Sequence, residues 1–176
     1  FLFSSGQKES LNKKIEEFSL KNISGKDVRL KDLKGKYSIV TFGFSKCTGV
    51  CPMNLSKMGK LIDSFSNDEY DINYIFITID SERDTIGSVR SFMKNFNKKI
   101  VALVDGEHTG INVASDFYSY VNFDKSKLKD PGYQMMHSGF FYMLDPIGNI
   151  KVLYTKKDID VKDIKKDLVY YIDRNR

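Results

Sequence analysis

An apolar run, YSIVTFGF at 37–44, leads directly into SKCTGVCP at 45–52, so a strand, both cysteines of the chain and a proline that can open a helix succeed one another without a gap. The run is rich in β-branched and aromatic residues, the composition of a buried central strand. Pro52 suits the first turn of a helix, because its fixed φ fits there and its missing N–H would have had no partner. We therefore read a helix starting at Pro52, with Cys47 and Cys51 at its N-terminus. Any fold for the remaining chain has to accommodate this strand–cysteine–helix unit.

The segment EFSLKNISGKDVRL (17–30) reads as two short strands around the turn Ser24-Gly25, and KDLKGK after it as a helical turn. Beyond the cysteines come strand INYIFITID (72–80), a helix over about 84–96, strand KIVALVD (99–105) and helix TGINVASDFYSY (109–120). Strand SGFFYMLD (138–145), the turn PIGN and strand IKVLYT (150–155) form a hairpin, and an amphipathic helix covers about 159–173. Alternating strands and helices predict a largely parallel sheet, to which the hairpin adds antiparallel pairing. The expected class is thus α/β and thioredoxin-like: a central mixed sheet flanked by helices, with an N-terminal β-hairpin extension. There is no internal repeat or linker, so one domain is expected over 15–176. Residues 1–14 read as a tail, and the apolar FLF either as the end of a removed membrane anchor or signal or as an arbitrary starting point.

The net charge of +5 comes from lysines interleaved with acids, as in TKKDIDVKDIKKDL, the pattern of a solvated helix face. No basic run is interleaved with stacking aromatics and no glycine-rich phosphate loop occurs, so no nucleic-acid partner is expected. The longest apolar stretches are strand-sized, well short of the roughly 20 residues a spanning helix needs. A membrane would be met only through the missing N-terminal anchor.

Two closely spaced cysteines point to redox or metal chemistry rather than to a disulfide framework. A helix N-terminus favours negative charge, so a thiol there should ionise more readily than a free one. Their spacing permits either a disulfide or convergence of both sulfurs on one ion. Thioredoxin-like reductants usually have two residues between their cysteines; this chain has Thr48, Gly49 and Val50 there, and no tryptophan before Cys47. Two thiolates and one imidazole suit Cu(I), and Cu(II) with a further oxygen or nitrogen donor. Of the two histidines, His137 lies where a long loop meets a strand, beside the first cysteine in a thioredoxin topology. His108 opens a helix and is read as exposed or capping. Asp80, at a strand end next to the cysteine-bearing strand, either orients a ligand or is simply solvated. Met135 and Met136 offer soft thioethers that either reach copper or pack.

The segments FGFSKCTGVCPMNLSKM, ITIDSERDT and HSGFFYMLDPIGNI, in this order, resemble the Sco/SenC copper proteins that assist cytochrome c oxidase assembly. The resemblance implies Cys47, Cys51 and His137 as ligands of one copper ion and a metallochaperone role at the CuA centre. The implied partners are the oxidase subunit carrying that centre and a further copper chaperone. The implied location is the periplasmic side of a bacterial inner membrane, or the intermembrane space of a mitochondrion. The alternative is a thiol–disulfide reductase, with Cys47 and Cys51 cycling to keep oxidase or copper-carrier cysteines reduced. A structural disulfide is the blandest reading. The chain departs from the family pattern at Thr48, where proline is frequent, and at Met136, where an aspartate is common. Losing that acid removes a polar tether from the loop 121–136, so copper itself is expected to order it.

Overall fold

The computed structural model describes residues 8–65, 70–104, 109–127 and 129–175. In chain order the elements are β1 (Lys8–Lys14), β2 (Ser19–Asn22), β3 (Asp27–Arg29), a 3-10 turn (Leu30–Leu33), β4 (Tyr37–Gly43) and α1 (Val50–Ser64). Then follow β5 (Ile72–Thr78), α2 (Ile86–Met93), β6 (Ile100–Val104), α3 (Thr109–Asp116), β7 (Val121–Asn122), β8 (Met136–His137), β9 (Phe141–Leu144), β10 (Asn149–Tyr154) and α4 (Val161–Arg174).

Eight strands form one mixed sheet in the order β1-β10-β9-β4-β5-β6-β2-β3. Pairing is parallel only across β4–β5 and β5–β6, where α1 and α2 return the chain to the same end of the sheet. The other pairs in this sheet are antiparallel, so the parallel share is smaller than simple alternation suggests. Every residue of β4 is buried, which explains why its sequence is mostly apolar on both faces rather than alternating. The β2–β3 hairpin is joined to the sheet through Lys21 and Asn22, which pair with Val104 and Leu103 of β6.

Two expectations change here. Residues 8–14, read as part of a tail, form β1 and pair with β10. The long connection 121–136 carries structure of its own: β7 and β8 pair antiparallel, with Val121 opposite His137.

A core lies on each face of the sheet. One holds Phe42, Phe44, Cys51, Ile77, Phe117, Met135 and Tyr142; the other holds Ile39, Leu55, Met58, Phe76, Tyr154 and Leu168. In the first, the rings of Phe42, Phe117 and Tyr142 meet edge to face at centroid separations of 5.2, 5.3 and 5.7 Å, the arrangement that aromatic quadrupoles favour. Both cysteines pack at the upper end of this cluster, so the site is supported by core rather than carried on an unsupported loop.

Candidate metal centre

After β4 the chain makes a tight turn in which the Cys47 N–H donates to the Phe44 carbonyl at 3.1 Å. Gly49 caps α1, which starts at Val50. The helix therefore begins two residues earlier than Pro52, which takes the third helical position, still within the turn whose N–H groups lack partners. Cys51 thus belongs to the first turn and is 1% exposed, whereas Cys47 stays in the preceding loop, half-buried. Cys51 fits because Gly43 lacks a side chain: a Cβ there would stand 2.5 Å from Cys51 Sγ and 2.8 Å from the Phe76 ring.

His137 arrives from the opposite side. Ser138 exchanges hydrogen bonds with Tyr120: the Ser138 N–H donates to the Tyr120 carbonyl, and the Tyr120 N–H to the Ser138 hydroxyl, each at 2.8 Å. Buried Asn54 of α1 donates to the Gly139 carbonyl at 3.1 Å and to Thr41 Oγ1 at 3.2 Å, fastening this segment over the helix. A side chain at Gly139 would collide with Val50, so the glycine permits that approach. His137 Nδ1 lies 3.0 Å from the Ser138 carbonyl. A carbonyl only accepts, which places a proton on Nδ1 and leaves Nε2 as the ring nitrogen that faces the sulfurs. Nε2 is 3.2 Å from Cys51 Sγ, and the Phe44 ring stands edge-on to the imidazole at 5.7 Å. The donor atoms of Cys47, Cys51 and His137 all lie within 4.8 Å of one another.

The two thiols are electrostatically unlike. The Cys51 thiol donates to the Cys47 sulfur, and the His137 ring and the backbone N–H groups of Cys51 and Gly49 add to this; together they outweigh burial and hold Cys47 down to about 4. Cys51 is pushed far upward, because its proton is engaged by Cys47 and burial opposes a second negative charge. Their mutual hydrogen bond and the burial of Cys51 therefore favour a thiolate at Cys47 and not at Cys51. Such a set offers two chemistries: soft donors converging on one ion, and an exposed thiolate backed by a buried thiol.

Asp80, read from the sequence as orienting a ligand from behind or as simply solvated, is buried rather than solvated. It is 1% exposed and accepts from Arg83 Nε at 2.6 Å and from the Arg83 backbone N–H at 3.2 Å. Arg83 Nη1 in turn donates to the carbonyls of Tyr133 at 2.7 Å and Asp130 at 3.2 Å, in the loop that leads to His137. Asp80 is thus tied to the histidine segment through Arg83. Asp84, given no role from sequence, lies closer to the cysteine turn: its carboxylate accepts from both the N–H and the hydroxyl of Ser45. The ITIDSERDT segment was legible as a motif, but its partners are remote in sequence and left no local signal. Met135 is 5% exposed in the same core cluster as Cys51, and Met136 is 65% exposed. His108 lies outside the described residues.

The SCO1/SenC family model matches residues 6–173. The chain belongs to the SCO1/SenC family. Among SCO1/SenC relatives, the SCO2-like protein of Rickettsia typhi is 35% identical over 158 residues, 87% of this chain and 75% of that protein. The crystal structure of Arabidopsis thaliana ScoI with copper bound is 32% identical and superposes with a TM-score of 0.78, covering 90% of this chain and 98% of that one. A SCO1/SenC family lipoprotein from Bacillus anthracis is 26% identical with a TM-score of 0.81, covering 92% and 96%.

Proposed function

We propose that this protein is a copper metallochaperone that binds one copper ion through Cys47, Cys51 and His137 and assists assembly of the CuA centre of cytochrome c oxidase. The observation that carries this reading is the convergence of two sulfurs and one imidazole nitrogen within 4.8 Å, on a fold whose Arabidopsis relative holds copper. This donor set fits Cu(I), which accepts few, soft ligands; Cu(II) takes the same three with an added oxygen or nitrogen donor. The oxidase role follows the family resemblance, with the CuA-bearing subunit as acceptor and another copper chaperone as donor.

The place of action is the oxidising side of an energy-coupling membrane, either the periplasm or the intermembrane space, in keeping with the lipoprotein relative. Among the described residues no helix is long and apolar enough to cross a membrane. Elemental analysis after anaerobic reduction and Cu(I) loading tests the reading. One copper per chain is expected, with loss in Cys47→Ser and in His137→Ala; no copper in the reduced wild type would reject it.

The inequality of the two thiols favours a second reading, a thiol–disulfide reductase. In it the Cys47 thiolate attacks a partner disulfide and releases one partner thiol. Cys51, giving up its proton, then displaces the second partner thiolate and forms the Cys47–Cys51 disulfide, so two electrons pass to the partner. A Cys51→Ser variant that traps a mixed disulfide through Cys47 supports this role, and one that traps none speaks against it.

A further inference from the structure

The side chain of Gln134 spans the peptide units on either side of Cys47. Its Nε2 donates to the Lys46 carbonyl at 3.0 Å, and its Oε1 accepts the Thr48 N–H at 3.3 Å. The opposite needs of a carbonyl and an N–H fix which way round the amide lies. Gln134 stands three positions before His137, and the residue before it, Tyr133, has its carbonyl held by Arg83. One short segment is thus bolted to the largely covered Arg83 on one side and to the Cys47 turn on the other, with the histidine at its end.

Two sequence departures bear on this arrangement. Thr48 supplies a backbone N–H that a proline at that position would lack. Met136, in the place of an acid, makes the loop depend on other tethers. The Thr48–Gln134 bond is such a tether, and its donor is one that the proline-bearing pattern cannot provide.

We infer that Gln134 is a positioning residue: it latches the Cys47 turn to the His137 segment and sets the spacing of the donor atoms before an ion arrives. The inference rests on the copper-site reading for its consequence, though the latch exists in the metal-free chain. A pre-set site spares the ordering cost that a ligand would otherwise bear on binding, so the latch raises affinity without touching the ion. Because the two hydrogen bonds are exposed, their net contribution is modest, which makes the expected loss of Cu(I) affinity about five-fold.

The test uses the full reduced protein as Gln134→Ala, Thr48→Pro and the double variant, with competition for Cu(I) against a chromophoric chelator and amide exchange in the metal-free state. Gln134→Ala is expected to lower Cu(I) affinity about five-fold and to speed exchange over 46–51 and 133–137, while the thermal midpoint moves by less than about 2 °C. Thr48→Pro should give a comparable loss, and the double variant should lose less than the product of the single effects, because both remove the same bond. Unchanged exchange over 46–51 in Gln134→Ala, or independent effects in the double variant, would overturn the latch. If the wild type takes up no copper, the copper reading fails by itself and the exchange comparison still decides whether the latch exists.

Discussion

Gly43 and Cys51 share a space that holds only one side chain, since a Cβ on Gly43 would stand 2.5 Å from the Cys51 sulfur. The neighbour on the other side is the Phe76 ring at 2.8 Å, so there is no direction in which to yield cheaply. Gly43→Ala should therefore cost about 1–3 kcal/mol through overpacking, measured by chemical denaturation, and should displace Cys51 from His137. A variant as stable as wild type with equal Cu(I) uptake would show that the turn gives way freely.

The two thiols should label in a fixed order. Cys47 is half-buried and held as a thiolate at neutral pH, whereas Cys51 is 1% exposed and keeps its proton. Iodoacetamide on the reduced native protein should give a single adduct, assigned to Cys47 by peptide mass mapping, with Cys51 reacting only on unfolding. Equal labelling of both residues in the native state is the contrary result.

Asp84 gives the protein a pH dependence with a defined sign. Burial raises its pKa to about 6, with Asp80 adding to the shift and Ser45 and Arg83 acting against it. Between about 4 and 6 the unfolded chain releases this proton more readily than the native protein, so stability falls as pH rises through that window. The loss is on the order of 3 kcal/mol. Asp84→Asn keeps an acceptor for the Ser45 N–H and should lack this component. Denaturation midpoints at pH 4 and pH 7 would then diverge less in the variant, and identical pH profiles would refute the assignment.

Arg83 and Asp80 are buried together, with 10% and 1% of their side chains exposed. Removing either partner alone, as in Asp80→Ala or Arg83→Met, should cost about 3–5 kcal/mol because a charge is left unpaired in the interior. Arg83→Lys should rescue little, since a single ammonium does not reach the carboxylate and two carbonyls at once. Replacing both by apolar residues should cost less than the sum of the single changes, which denaturation of the four proteins would show.

Much of the architecture was legible locally. The buried strand 37–44, the turn PIGN and the amphipathic C-terminal helix carry their own periodicity, and all three are present. Strand β1 was not legible: KESLNKK is polar, and its pairing with β10 joins residues nearly the whole chain apart. Strands β7 and β8 are two residues each, too short to leave a pattern, and exist because they pair with each other.

By itself the sequence determined which atoms are available: two sulfurs in one turn, one imidazole at the end of a loop, and an element order that brings them to the same end of the sheet. Periodicity and residue chemistry are local properties, and these conclusions needed nothing more. Which thiol carries the charge, which ring nitrogen faces the sulfurs and where Asp80 points were decided only by tertiary contact. Cys47 becomes the thiolate because the Cys51 thiol and the N–H groups of Cys51 and Gly49 converge on it, while Cys51 is pressed against Gly43 away from water. Asp80 turns to Arg83 because two opposite charges excluded from solvent must satisfy each other, and that pairing, with Gln134, Ser138 and Asn54, holds the histidine segment beside the cysteines.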